Sequence, residues 1–182
     1  MKPNIDLIPL VLIFVTLAIL SFVATRWNNI QQYVHTFDQT QIAITPTIVQ
    51  DTVFEQRVRK LEAFLSKYKS PLYPYSRHIV NKAQEYEIDY RLIPAIAMNE
   101  STLCQNIHNG SYNCWGWGIY GDRITEFDSY EDAINVIAKG IRKNYYDKGM
   151  STPAAIMKVY TPSSPDGIWA KKIEWAYRQI EK

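Results

Sequence analysis

Leu92-Ile93-Pro94-Ala95-Ile96-Ala97-Met98-Asn99-Glu100-Ser101 is the stretch on which the reading of this chain turns. Ile93, Ile96, Ala97 and Glu100 stand at i, i+3, i+4 and i+7, which predicts a helix with a carboxyl on its apolar face. A carboxyl placed there, near the negative end of a helix dipole, favours its protonated form. A protonated carboxyl can donate to a leaving oxygen, as glycoside cleavage requires. A last-turn Glu turned out to solvent is the competing reading, and spacing alone does not separate the two.

The residues that follow shift the balance. Tyr112, Trp115, Trp117 and Tyr120 cluster among Gly110, Gly116, Gly118 and Gly121. Flat aromatic faces beside polar groups suit sugar rings, although a small core under a loop uses the same residues. The region 102–128 has no helical period and is expected to be loop or short hairpin. Cys104 and Cys114 lie within it, separated by a short polar loop, and a disulfide, two free thiols or a metal site with His108 are open readings. Three ligands without a fourth make a poor zinc signature, so no metal and no cofactor is expected.

Helical signals surround this centre. Asp51 or Thr52 is placed to cap a helix carrying Val58, Leu61, Phe64, Leu65 and Tyr68 at helical spacing. Ser70-Pro71 and Tyr73-Pro74 break the pattern. Ile79, Ala83 and Tyr86 mark a second helix, and Asp89 is expected to cap a third, from Tyr90 to about Glu100, with Pro94 near its first turn. Ser129-x-x-Asp132 resembles a capping box before Ala133, Ile134, Ile137, Ala138 and Ile141, in a helix expected to end near Gly149. Thr152-Pro153 opens a short helix, and Trp169, Ile173, Ala176, Tyr177 and Ile180 mark the last.

The N-terminus reads differently. Leu7 to Ala24 contains no charge and no Gly, about enough residues to cross a bilayer as a helix. Cleavage after Ala24 or Thr25 would place Phe22 or Val23 where a signal peptide needs a small residue, so a retained anchor with its N-terminus inside is expected. Residues 27–51, rich in Gln, Thr and Asn without a sustained apolar period, read as a polar stalk. The expected organisation is anchor 1–26, stalk 27–51 and one mostly α domain 52–182. A formal net charge of +2 gives no sign of nucleic-acid binding.

The ordered motifs carry a resemblance. Leu92 to Ala97 followed by Glu100-Ser101 is similar to the Glu-Ser motif of lytic transglycosylases, goose-type lysozymes and bacterial glucosaminidases. Asn113-Cys114-Trp115-Gly116-Trp117-Gly118 resembles the Asn-x-φ-Gly segment (φ apolar or aromatic) of the endo-β-N-acetylglucosaminidase-like domain. Phe127-x-Ser129-Tyr130-x-x-Ala133, Tyr160-Thr161-Pro162 and Trp169-Ala170-x-Lys172-Ile173 resemble that family's later segments, from which the chain departs in lacking an Asp after Thr161 and in its paired cysteines.

The resemblance covers roughly residue 70 to the C-terminus. It implies a mostly α, lysozyme-like helical domain with a small loop or β-hairpin region after the transmembrane helix. It also implies cleavage of the β-1,4 bonds of peptidoglycan glycan strands, on the outer side of a bacterial cell membrane. Glu100 is then the general acid, Tyr160 the tyrosine facing it, and Glu126 the first choice for a helper carboxylate ahead of Asp122 and Asp128. Ser101, Tyr112, Asn113, Trp115 and Trp117 are implied to contact the glycan. Attack by the substrate's acetamido group, or closure of an anhydro ring by the muramic acid 6-hydroxyl, would dispense with the helper.

Overall fold

The computed structural model describes residues 7–118 and 125–182. The chain separates into two compact units, Met1–Asp51 and Thr52–Lys182. It is mostly helical, and no strand occurs among the described residues. The hairpin tip expected after Gly118 falls on 119–124, with Tyr120 and Asp122, outside the described residues. Helix α1 spans Leu7–Lys67, α2 Ser76–Glu85, α3 Leu92–Ser101, α4 Tyr130–Asn144, α5 Pro153–Tyr160 and α6 Ile168–Ile180. Short 3-10 turns occupy Tyr73–Tyr75, Tyr146–Lys148 and Pro165–Gly167.

Residues 27–51 are helical, so Asp51 and Thr52 stand inside α1 and start no new helix. Leu12–Thr36 is the one helical span among the described residues that is long and apolar enough to cross a membrane.

In the second unit the core forms around α3. Leu92, Ile93, Pro94, Ala95, Ile96 and Ala97 are all buried, so this helix is apolar on every side for two turns. Ile134, Ile137 and Ile141 of α4, Ile173 and Ile180 of α6, and Val58, Leu61 and Leu65 at the end of α1 share that core. The expected stripes therefore hold, with Tyr68, Tyr86 and Tyr177 half-buried at its edge.

Local chemistry sets the helix ends. Ser129 Oγ accepts from Asp132 N–H at 3.1 Å and Thr152 Oγ1 from Ala155 N–H at 3.2 Å, both as capping residues. α4 stops at Asn144, a turn before Gly149, whose φ of +76° closes the following 3-10 turn. Asp89 does not cap α3. Its carboxylate is occupied by Arg91, accepting from the backbone N–H at 2.9 Å and from Nη2 at 2.6 Å, and the helix begins only at Leu92.

The exit from α3 is the most constrained turn of the fold. Thr102, Leu103 and Cys104 have φ of +53°, +56° and +71°, a left-handed run that costs roughly 1–3 kcal/mol per residue. The buried Ser101 hydroxyl holds it, accepting from Cys104 N–H at 2.9 Å and lying 2.8 Å from the Cys114 carbonyl. Cys104 and Cys114 stand at disulfide distance, closing the loop between them. On the loop-entropy model such a bridge is worth about 3 kcal/mol.

Ser101→Ala leaves a buried N–H and a buried carbonyl without their partner. Each such orphan costs about 1–3 kcal/mol, so the variant should unfold at distinctly lower denaturant than the wild type. Chemical denaturation of the detergent-solubilised chain checks this, and an unchanged midpoint contradicts it.

Candidate active site

Because α3 is buried almost to its end, its last turn is where the chain emerges, and Glu100 is exposed there. This corrects the expectation of a carboxyl on an apolar face. The helix has no polar face over its first two turns, and position 100 escapes the core by lying at the end. The carboxylate is nevertheless held. Oε1 accepts from the Trp169 indole N–H at 2.9 Å, across 69 residues of sequence, and from Asn99 Nδ2 at 2.9 Å.

Trp169 is set by its own neighbours. It lies in the first turn of α6, where its backbone N–H donates to Ser164 Oγ at 3.0 Å. Its ring packs on Tyr160, the last residue of α5, with centroids 5.1 Å apart and planes inclined by 31°. The Tyr160 hydroxyl donates to the Trp115 carbonyl. Burial pushes the Tyr160 phenol well above its usual range, and the negative charge of Glu100 adds to the effect. Tyr160 thus packs on the tryptophan that holds Glu100, and its proton is committed to the loop backbone.

Asn113 organises that loop. It is 5% exposed. Its Oδ1 accepts from Trp117 N–H at 3.0 Å and Trp115 N–H at 3.3 Å, while Nδ2 donates to the carbonyls of Trp117 at 2.8 Å and Thr125 at 2.9 Å. Thr125 Oγ1 donates to Gly118 O at 2.9 Å, and Phe127 N–H to Ser111 O at 2.9 Å. The two sides of the stretch 119–124 are thereby tied together. At Gly118, φ of +64°, an added Cβ would lie 2.6 Å from Thr125 Oγ1, so the turn needs glycine.

Several residues expected to face a ligand are turned inward. Trp115 is 0% exposed, and its indole donates to Ile93 O at 2.9 Å, so it is a core residue that offers only its carbonyl to the site. Ser101 is buried and its hydroxyl serves the loop. Tyr112 packs edge-on against Tyr130 at 5.0 Å. Trp117 is half-buried over Gly140 of α4, where a Cβ would come within 2.3 Å of its ring. Glu126 is exposed and lines neither depression beside Glu100.

Two depressions meet at Gly116. One, of about 460 Å³, is lined by Glu100, Asn106, Ile107, His108 and Ser111, with Ser101 and Asn113 behind. The other, of about 520 Å³, is lined by Trp117, Tyr160, Tyr145, Asn144, Lys148 and Val159. A solvent-reachable carboxyl therefore opens onto one of two adjoining hollows, and the other carries the Trp117, Tyr145 and Tyr160 side chains. Among the described residues no group of His, Cys, Asp and Glu is arranged to hold a metal ion.

Sequence reading missed Trp169 as a site residue. It entered that reading as a member of an apolar stripe and of one segment of the resemblance, and no spacing rule links residue 169 to residue 100. Lys148, in the second hollow, gave no signal, and His108, in the first, entered only as a metal ligand beside the cysteine pair. No protein-family model and no curated protein matches the chain.

The buried phenols generate a pH expectation. Burial raises Tyr160, Tyr177 and Tyr90 in the folded state. In the unfolded chain tyrosines lose their protons near pH 10. Above that pH the unfolded state binds fewer protons than the folded one, so stability present below about pH 10 falls as pH rises further. Tyrosinate absorbance should show a fraction of phenols titrating only together with unfolding. Full titration of all tyrosines in the folded protein near pH 10 would contradict the burial.

Proposed function

We propose that this chain is a membrane-anchored peptidoglycan hydrolase of the lysozyme-like, endo-β-N-acetylglucosaminidase type, with Glu100 as general acid. The observation that carries the reading is the Trp169–Glu100 hydrogen bond. It fixes an exposed carboxyl beside two adjoining depressions, which an exposed last-turn Glu without a function does not need. The sequence resemblance independently assigns the acid to the same residue.

The chemistry follows from the arrangement. A glycan lying across Gly116 meets amide, imidazole and hydroxyl groups on one side and the Trp117 and Tyr160 rings on the other, the mixture that suits sugar hydroxyls and sugar faces. Glu100, when protonated, passes its proton to the departing glycosidic oxygen. The Trp169 N–H keeps the carboxyl from rotating away, and Tyr160 positions Trp169 through ring contact and the loop through Trp115 O. The electron-deficient sugar carbon is then taken by water, by the substrate's acetamido oxygen, or by the 6-hydroxyl of muramic acid. A muramidase or lytic transglycosylase uses the same acid.

The membrane reading fits the same picture. The apolar helix anchors the chain, N-terminus inside, and the bonded cysteine pair suits the oxidising outer side of a bacterial membrane.

Glu100→Gln keeps the acceptor toward Trp169 but has no acidic proton, so wall solubilisation should fall by roughly 10²–10⁴ with sedimentation on insoluble peptidoglycan retained. Equal solubilisation by both proteins places the acid elsewhere, and wild-type binding without turnover makes the domain a glycan binder. Mass analysis of products separates reducing N-acetylglucosamine, reducing muramic acid and anhydromuramic ends. Trp169→Phe, which keeps the ring on Tyr160 and removes only the N–H, should lower turnover about 10–100-fold through misplacement of the acid, with little change in melting. Unaltered turnover would remove the positioning role.

A further inference from the structure

The segment 133–160, from the body of α4 through the turn at Tyr146–Lys148 to the end of α5, holds five basic residues and one acidic residue. The whole chain carries a formal net charge of only +2, so its positive charge is concentrated here. The one acid, Asp147, accepts from Arg142 Nε at 2.7 Å and is thereby neutralised. Lys139, Lys143, Lys148 and Lys158 are exposed, and none of them has an ion-pair partner among the described residues. The same segment walls the second hollow, through Asn144, Tyr145, Lys148, Val159 and Tyr160. Lys148 is the only charged residue lining that hollow, whereas Glu100 is the only Asp, Glu, Lys or Arg lining the first. The Lys148 backbone is fixed, its N–H donating to Tyr145 O at 3.0 Å, with Met150 N–H on the same carbonyl at 2.9 Å.

We propose that the second hollow is an anion subsite, in which Lys148 takes a carboxylate carried by a muramic acid residue of the glycan strand. The inference rests on the reading of the two hollows as a glycan groove. Ring faces and an amide are enough to hold a neutral sugar, and an ammonium with no carboxylate beside it, on a wall of one sign, adds attraction for an anion. Alternate sugars of peptidoglycan bear a lactyl group that ends in a carboxyl, either free or joined to a peptide with carboxyls of its own. Two alternating sugars can occupy two hollows in two ways. The ammonium favours the placement with the muramic residue in the second, so Lys148 sets the register of the strand against Glu100.

The test measures binding by the full chain in detergent micelles, carrying Glu100→Gln so that the strands are not consumed. Glycan strands freed of peptide, the same strands with the lactyl carboxyl converted to its methylamide, and strands with stem peptides intact are compared. Carboxylate-bearing strands should bind about 2–5-fold more tightly than the methylamide, the range of an exposed ion pair, and the advantage should shrink at high salt. Adding Lys148→Gln should abolish the preference, and adding Lys148→Arg should keep it. Tighter binding of denuded strands assigns the lactyl carboxylate, and tighter binding of peptide-bearing strands a peptide carboxylate, either of which supports the subsite. Equal affinity for charged and neutral strands, no measurable binding, or a preference that survives Lys148→Gln overturns it. Turnover by the chain with Glu100 intact reports the proposed reaction separately. A Lys148-dependent preference without turnover keeps the subsite and removes the hydrolase reading, and turnover without the preference does the reverse.

Discussion

Everything in the second unit is arranged around a helix with no solvent face. The first two turns of α3 are buried all round, so its polar backbone can meet other polar groups only at its ends. At the C-terminal end the chain must leave the core, reverse, and satisfy its last carbonyls and the amides that follow. A left-handed run of non-glycine residues does this, and it is tolerable because the Ser101 hydroxyl, the buried Leu103 side chain and the cysteine pair hold it from three directions. Glu100 sits two residues before the first residue of that turn. The candidate acid is therefore carried on one of the most over-determined pieces of backbone in the chain, as a precisely aimed group requires.

The aromatic loop divides its labour in a way its composition does not reveal. Trp115 is a core residue whose indole reaches back to Ile93, and this is what seats the loop against α3. Asn113, with all of its amide hydrogen-bonding directions used, replaces the ladder that a hairpin would provide. Trp117 and Tyr160 are left with ring surface toward the second hollow. The glycine at position 140 of α4 makes room for Trp117, so the wall of that hollow depends on a residue far from it in sequence.

The two units obey different physics. Thr52–Lys182 has a core of its own, to which α2, α3, α4 and α6 each contribute several buried residues and α5 only Ile156. In the N-terminal unit, hydrophobic side chains from Leu12 to Val34 stand exposed along a single helix. Exposure of that kind marks a surface made for something other than water, and the span Leu12–Thr36 is long and apolar enough to cross a membrane.

Much was legible from local chemistry alone. The apolar stripes of α2, α4 and α6, the Ser129 and Thr152 caps, the proline breaks and the apolar N-terminal run are properties of a few neighbouring residues, and local sequence determines them because backbone hydrogen bonding and side-chain period act over one or two turns. The pairing of Cys104 with Cys114 was one of three open readings, and proximity decided among them. Asp89 failed as a cap because a side chain two residues away took its carboxylate. Which tryptophan enters the core and which indole holds Glu100 were decided by tertiary structure alone. Each depends on contacts between residues 22 to 69 positions apart, and no local rule reaches that far.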